Sequence, residues 1–194
     1  MAIKYYTIEF RNKIIQGYEI KLSECQSHTD ICALLAPFKI VNYTYEFIVV
    51  GERSENILKV GHSNNSKSHT PIERVYRQAG HLSGWDDSKH VPLKGPSGSE
   101  MIDICRRYHK KNGRQISKND IIIRINDFTN IPNPSQSDVK FLIKKHERHL
   151  IAEYKKVNGK LPIGNINDES FIDRKCDVDR SIYSKFFYEE NVCF

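Results

Sequence analysis

The sequence predicts an α/β domain of the α+β kind, with a small antiparallel sheet flanked by helices. Segments rich in aromatic and β-branched residues follow one another through short turns, as antiparallel strands do. A long helical pattern follows them near the end of the chain. The 194 residues, 39% of them hydrophobic, suffice to bury one core. No run approaches the roughly 18 apolar residues of a transmembrane helix.

The N-terminal part predicts a hairpin and a short helix. Tyr5–Phe10 and Lys13–Leu22 are rich in Tyr, Ile and Thr, and Arg11-Asn12 provides the turn between them. A short helix is predicted over Thr29–Pro37. These elements come before the segments that carry the candidate site residues.

Two further strands are predicted over Asn42–Val50 and Ile57–Gly61, close enough in sequence to pair antiparallel. Because side chains alternate along a strand, this pairing can place Tyr45 and Lys59 on one face, opposite or diagonal to each other. A lysine beside a phenol favours the phenolate, which is the better general base at neutral pH. An exposed cross-strand pair without a chemical role is the alternative interpretation.

Helices dominate the rest of the pattern. A helix begins at Thr70-Pro71-Ile72-Glu73, where a capping threonine, a proline at the first helical position and a capping-box glutamate agree. The segment His81–Gly98 contains three glycines, two prolines and the only tryptophan, and it predicts a long loop. The elements predicted after it are a helix over Ser99–Lys111, a strand over Ile121–Ile125 and a helix over Ser137–Val157 that Asn158-Gly159 ends.

Two polar residues on these helices occupy unusual positions. Glu147 lies four residues after Ile143 and three before Leu150, so it borders the apolar stripe of the last helix. A carboxylate there is costly unless it is paired, protonated or bound to a metal. A hydrogen bond to a nearby Lys or His is the structural alternative. Arg74 points away from the apolar residues of its own helix, toward water or a phosphate.

The net charge of +6 is unevenly distributed. Residues 98–160 contain 14 Lys and Arg against 7 Asp and Glu, whereas residues 161–194 contain 4 against 7. A basic middle and an acidic tail favour a polyanion that binds mainly to the middle. A well-solvated surface is the alternative explanation for the same composition.

The five cysteines are irregularly spaced and include no C-x-x-C pair, so a secreted disulfide framework is not expected. The chain starts without a long apolar signal region, and we expect a cytoplasmic protein. Cys25, His28 and Cys32 offer three zinc ligands but no fourth, which makes a zinc-dependent interaction protein the weaker alternative to ordinary buried thiols.

The order of the candidate residues resembles the GIY-YIG nuclease family, and in particular its stand-alone Type II restriction endonucleases. In that branch a lysine replaces the tyrosine of the second motif. The resemblance covers roughly 43–167, about two-thirds of the chain. It rests on Tyr45, Lys59-Val60-Gly61-His62-Ser63, Pro71-Ile72-Glu73-Arg74-Val75, Glu147 and Pro162-Ile163-Gly164-Asn165. The family's first motif has the form G-[IVL]-Y, where this chain has Asn42-Tyr43-Thr44-Tyr45; Tyr45 is aligned with the motif tyrosine and Tyr43 is its rival.

The resemblance implies hydrolysis of DNA phosphodiesters with one Mg²⁺ or Mn²⁺ ion per active site. It implies that Glu147 binds this metal. It further implies that Tyr45 is the general base and that Lys59 keeps it ionised or takes its proton. The remaining implied roles are stabilisation of charge on the phosphate by Arg74 and a hydrogen bond from His62 to the tyrosine or the phosphate.

The resemblance also implies an organisation and a set of partners. A nuclease domain at 43–167, with a DNA-reading insertion at about 81–118, lies between a hairpin extension at 1–42 and an acidic tail at 168–194. Ser63 and either Asn165 or Asn167 are further candidate site residues. The expected partners are double-stranded DNA with a palindromic site, a second copy in a homodimer and a companion DNA methyltransferase, but no membrane. The alternatives are a repair, phage-encoded or nicking nuclease, and a DNA-binding protein that keeps the fold without cleaving.

Overall fold

The computed structural model describes residues 3–25, 28–50, 55–64, 75, 104, 107–114, 116, 118–132 and 135–165. Within these residues, five strands form one antiparallel sheet in the order β1-β2-β5-β3-β4. The strands are β1 (Ile3–Phe10), β2 (Lys13–Lys21), β3 (Asn42–Val50), β4 (Glu55–Asn64) and β5 (Ile121–Asp127). They are accompanied by the helices α1 (His28–Leu35) and α2 (Gln136–Asn158). The predicted α+β arrangement is confirmed at this level.

The N-terminal hairpin is part of this same sheet. Arg11 and Asn12 both have positive φ values, 51° and 59°, as a two-residue hairpin turn requires. The other edge of β2 pairs with β5, with Tyr18 opposite Ile125. The sheet is therefore continuous from β1 to β4, and the extension predicted at 1–42 contributes two of its strands.

Strand β3 is buried on both faces because it lies between β5 and β4 and is covered on each side. Its residues 43–49 are all buried, which explains why this segment lacks the polar alternation of a surface strand. On one face, Tyr43, Tyr45 and Phe47 join the larger core, which also includes Ile31 and Leu35 of α1. On the other face, β3 and β4 pack against α2.

Helix α2 has defined signals at both ends. Ser135 and Asp138 form a reciprocal capping box, and Gly159 ends the helix with φ 68°. The predicted bounds are therefore confirmed to within a residue. The apolar stripe predicted for this helix, which runs from Val139 to Val157, is wrong at its end, since Val157 is 81% exposed whereas Tyr154 is buried.

Of the two helices predicted between Thr70 and Lys111, only parts lie within the described residues. Val75, from the helix predicted to begin at Thr70, is helical and buried. Residues 104 and 107–112, from the helix predicted over Ser99–Lys111, are also helical. The loop predicted over 81–98 lies outside the described residues. No helix in the described part of the chain is both long enough and apolar enough to cross a membrane.

Candidate active site

The segment that carries most of the resemblance, residues 59–63, lies in β4 and faces α2 through His62. Nδ1 of His62 lies 2.7 Å from Oε2 of Glu147, although the two residues are 85 positions apart in the chain. Both side chains are partly exposed, at 28% and 21%. The carboxylate at the edge of the apolar stripe therefore has a hydrogen-bonding partner and also remains accessible to solvent.

His146 and Glu147, which are consecutive in α2, contact the two residues of one cross-strand pair. Thr44 in β3 and His62 in β4 are direct partners in the sheet. His146 contacts the first of them, with Nδ1 2.9 Å from the hydroxyl oxygen of Thr44, and Glu147 contacts the second. The rotation of α2 on the sheet, and with it the position of Glu147, is fixed by both contacts.

His146 is the end of a buried chain of hydrogen bonds that crosses the sheet. The Tyr6 hydroxyl donates to Oδ1 of Asn126 at 3.0 Å, and Nδ2 of Asn126 donates to the Thr44 hydroxyl at 3.2 Å. This order leaves the Thr44 proton to be donated to Nδ1 of His146. Burial, with a smaller contribution from His149, lowers the pKa of His146 to about 4. The imidazole next to Glu147 is thus neutral at neutral pH and accepts this bond.

Acid is expected to destabilise the folded protein through His146. In the unfolded chain this imidazole takes up a proton near pH 6.5, whereas in the folded chain it stays neutral until about pH 4. The unfolded state binds more protons in this window, so the free energy of unfolding falls as the pH is lowered, by roughly 3 kcal/mol once the pH is below 4. Urea unfolding in EDTA at about pH 7 and about pH 4.5 measures most of this loss. The variant H146N offers Thr44 a hydrogen-bonding partner that does not titrate. If the free energy of unfolding of H146N falls by the same amount between the two pH values, His146 is not the cause of the loss.

The opposite face of the β3–β4 pair carries the tyrosine and the lysine. Tyr45 pairs directly with Gly61, and Phe47 pairs with Lys59. The register shifts beyond this point, leaving Leu58 as the extra residue of a β-bulge. Tyr45 and Lys59 therefore share a face as diagonal neighbours, which is one of the two arrangements expected from the sequence. Lys59 is 8% exposed.

Steric contact with the Tyr45 side chain requires a glycine at position 61. A Cβ atom at this position would collide with Cζ and the hydroxyl oxygen of Tyr45, since the tyrosine ring lies across the strand on top of Gly61. Because Gly61 has no side chain, the Tyr45 hydroxyl can lie close to the backbone of β4. The ring is otherwise enclosed, and Tyr45 is 1% exposed.

Asn165 completes the outer edge of β4. Its side-chain amide accepts a hydrogen bond from the Val60 N–H and donates one to the Val60 carbonyl, each at 2.8 Å. Gly164 allows this approach, because a Cβ there would collide with Ile104, the Leu58 carbonyl and Cβ of Lys59. The segment Pro162-Ile163-Gly164-Asn165 thus positions the strand on either side of Val60, and Asn165 acts on the candidate site through the backbone.

The structure arranges the predicted site residues in two groups on opposite faces of β3 and β4. His62 and Glu147 form one group. Tyr45, Lys59 and the rival Tyr43 belong to the other, where Tyr43 pairs with Ser63. Gly61 under Tyr45 and His62 beside Glu147 are consecutive in β4, and consecutive strand residues point to opposite faces, so the sheet separates the two groups. Arg74, Asn167 and most of the insertion predicted at about 81–118 lie outside the described residues.

The cysteines predicted as alternative zinc ligands have the properties of buried thiols. Cys25 is buried and Cys32 is half-buried, and the Cys25 thiol donates a hydrogen bond to the Lys21 carbonyl at 3.8 Å. Burial raises the pKa of Cys32 to about 11, which disfavours the thiolate that binds zinc. The side chain of His28, the third predicted ligand, lies outside the described residues.

Sequence patterns do not single out the polar chain that supports Glu147. Tyr6 and Asn126 are distant from it in sequence, and the helical pattern places His146 only on the apolar stripe. One local signal is present, since Thr44 is a hydroxyl-bearing residue within a strand whose neighbours are mostly apolar or aromatic. A buried hydroxyl needs a partner, and its partners here are Asn126 and His146.

No protein-family model, curated protein or solved structure matches this chain. The functional interpretation therefore depends on the residues themselves and on the geometry that brings them together.

Proposed function

We propose that the chain is a Mg²⁺-dependent DNA endonuclease of the restriction type, with the fold of the GIY-YIG nucleases. The observation that carries this proposal is the 2.7 Å contact between His62 and Glu147. Two parts of the resemblance, the strand segment 59–63 and a helical glutamate, meet in space although they are distant in sequence. The same contact is the hydrogen bond to a histidine that the structural alternative predicts, so the proposal depends on His62 belonging to the motif segment, and the cleavage experiments decide between the two.

The residues of the chain would perform the proton transfer and hold the phosphate. The general base implied by the resemblance is Tyr45, ionised with the help of Lys59. Because Tyr45 lies on the face of the sheet away from Glu147, it can take the proton of the attacking water only if the substrate reaches both faces at the edge strand β4. The water oxygen forms a bond to phosphorus, the bond to the 3′ oxygen breaks, and the leaving oxygen acquires a proton from solvent. Arg74 is assigned to the charge on the phosphate, and His62 to the orientation of the Glu147 carboxylate.

The carboxylate of Glu147 fits the proposed metal. Mg²⁺ prefers oxygen ligands, keeps several waters and takes phosphate oxygens from its substrate, so one accessible carboxylate is a sufficient protein ligand. His62 is hydrogen-bonded to Oε2 of Glu147, and the Glu147 side chain is partly exposed to solvent. When bound, the metal supplies electrostatic stabilisation of the phosphate and of the leaving oxygen.

The proposed restriction role also predicts the oligomeric state of the protein and the kind of DNA site that it cleaves. A single site per chain cuts one strand, so cleavage of both strands is proposed to use a homodimer whose two-fold axis matches a palindromic site. A companion methyltransferase would protect the same sequence in the host DNA. Sequence-specific contacts are assigned to the insertion at about 81–118.

Incubation with unmethylated DNA of phage genome size is expected to give discrete bands on a gel only when Mg²⁺ is present. A metal-dependent smear would leave a nuclease without this specificity, such as a repair enzyme. Nicked circular DNA as the final product from a supercoiled plasmid would contradict cleavage of both strands. The control is the same incubation in EDTA, in which the DNA is expected to stay intact.

One observation favours a second candidate, a DNA-binding protein that keeps the fold without cleaving. Tyr45 is only 1% exposed, whereas a general base must reach a water molecule. This candidate predicts a mobility shift of intact DNA at every metal concentration. The digestion experiment therefore distinguishes the two candidates directly.

A further inference from the structure

A row of basic residues on α2 runs beside Glu147. Lys140, Lys144 and Arg148 follow one another at intervals of four residues, which places them along one side of a helix. Glu147 lies three residues after Lys144 and directly before Arg148. All three basic side chains are exposed. This row is named the basic stripe.

The basic stripe has no acidic counterpart in the described residues. Neither Lys140, Lys144 nor Arg148 makes an ion pair with any residue that the structure describes. Like charges four residues apart repel each other and destabilise a helix. The arrangement is therefore unfavourable for the isolated helix, and a bound polyanion would remove the repulsion.

Basic residues toward the hairpin side of α2 are arranged differently. The guanidinium of Arg11 and the ammonium of Lys145 lie over the ring of Phe141, at 5.9 Å and 5.3 Å from its centre. These two cations interact with an aromatic face. Within the described residues the basic stripe has no such interaction, and its exposed cations are available for an anionic ligand.

We propose that the basic stripe binds consecutive phosphates of one strand of double-stranded DNA and guides that strand to Glu147. Steps of four residues along a helix advance about 6 Å each, a spacing suited to successive phosphates on a DNA strand. Contacts of this kind position the duplex and do not depend on its sequence. They also offset the repulsion between Glu147 and the phosphates. This inference rests on the proposed function and assigns part of its substrate contact.

Salt-dependent binding of a fluorescent DNA duplex, measured in EDTA so that no cleavage occurs, tests the stripe. Binding at salt concentrations from about 50 to about 300 mM gives the slope of log affinity against log salt, whose magnitude decreases by about 0.9 for each phosphate that the protein no longer neutralises. The variants K140Q, K144Q and R148Q are each expected to reduce the slope by about one. The triple variant is expected to reduce it by nearly three.

Two controls separate charge at the stripe from general effects. K156Q removes one exposed lysine from another part of the same helix and is expected to leave the slope unchanged. K144R retains the charge and is expected to keep the slope of the unmodified protein. A slope that changes equally in K156Q and K144Q would show that only net charge matters, and it would overturn the stripe.

The outcomes for the stripe and for the nuclease are distinguishable. Metal-dependent cleavage with an unchanged slope in the triple variant would overturn the stripe and leave the proposed function intact. A reduced slope in a protein that never cleaves would support the stripe and overturn the nuclease. No binding of duplex DNA by the unmodified protein at low salt would overturn the stripe.

Discussion

Replacing Glu147 with alanine is expected to abolish metal-dependent cleavage of DNA and to leave DNA binding intact. The carboxylate is the assigned metal ligand, and loss of the several kcal/mol that a metal contributes to the transition state corresponds to a decrease of roughly a thousandfold or more. The fold should tolerate the change. Glu147 and His62 are both partly exposed, so water can replace the hydrogen bond that the variant lacks.

Two further variants make the Glu147 experiment specific. E147Q keeps the shape of the side chain and an oxygen for His62 while removing the charge, so it should also lose cleavage. E153Q changes an exposed glutamate on the same helix and should cleave at the rate of the unmodified protein. Binding measured in EDTA confirms that each variant still recognises DNA. Cleavage by E147A at the unmodified rate would place the metal elsewhere.

The hairpin and the α2 boundaries were predictable because their signals are local. Arg11-Asn12 lies between two strand-like runs, and a periodic helical run is ended by Asn158-Gly159. The position of the hairpin in the sheet was not predictable in the same way. The pairing of β2 with β5 joins residues more than a hundred positions apart, and nothing in either segment specifies its partner.

The candidate site shows the same distinction. Antiparallel pairing of β3 and β4 followed from the short connection, but no local pattern indicated the bulge at Leu58. The neighbour of Glu147 could be predicted only as a Lys or a His. Its identity as His62, and the support from Thr44 and His146, arise because α2 packs across both strands.

The geometry gives the glycine and asparagine of the motif segments a physical explanation. Gly61 is needed because the Tyr45 ring occupies the space of a side chain there. Asn165 is needed because its amide offers both a donor and an acceptor to Val60. Neither residue has to touch a substrate to be required. The sequence identifies both positions through the resemblance, without a steric or hydrogen-bonding reason.

Replacing Tyr45 with phenylalanine is expected to lower the cleavage rate by about a hundredfold to ten-thousandfold, the usual contribution of a positioned general base. The aromatic ring that covers Gly61 is retained, so the larger core should remain packed. Single-turnover cleavage at saturating protein, with Mg²⁺ present, measures the chemical step separately from binding.

Tyr43 provides the matched control for this prediction. It lies in the same strand and on the same face, and each tyrosine is 1% exposed. Y43F therefore removes an equally buried hydroxyl from the same strand and the same face. Only Tyr45 has its hydroxyl against Gly61 and Lys59 as its diagonal neighbour. A slow Y43F with a normal Y45F would move the general base to Tyr43, whereas normal rates in both would remove tyrosine from the proposed proton transfer.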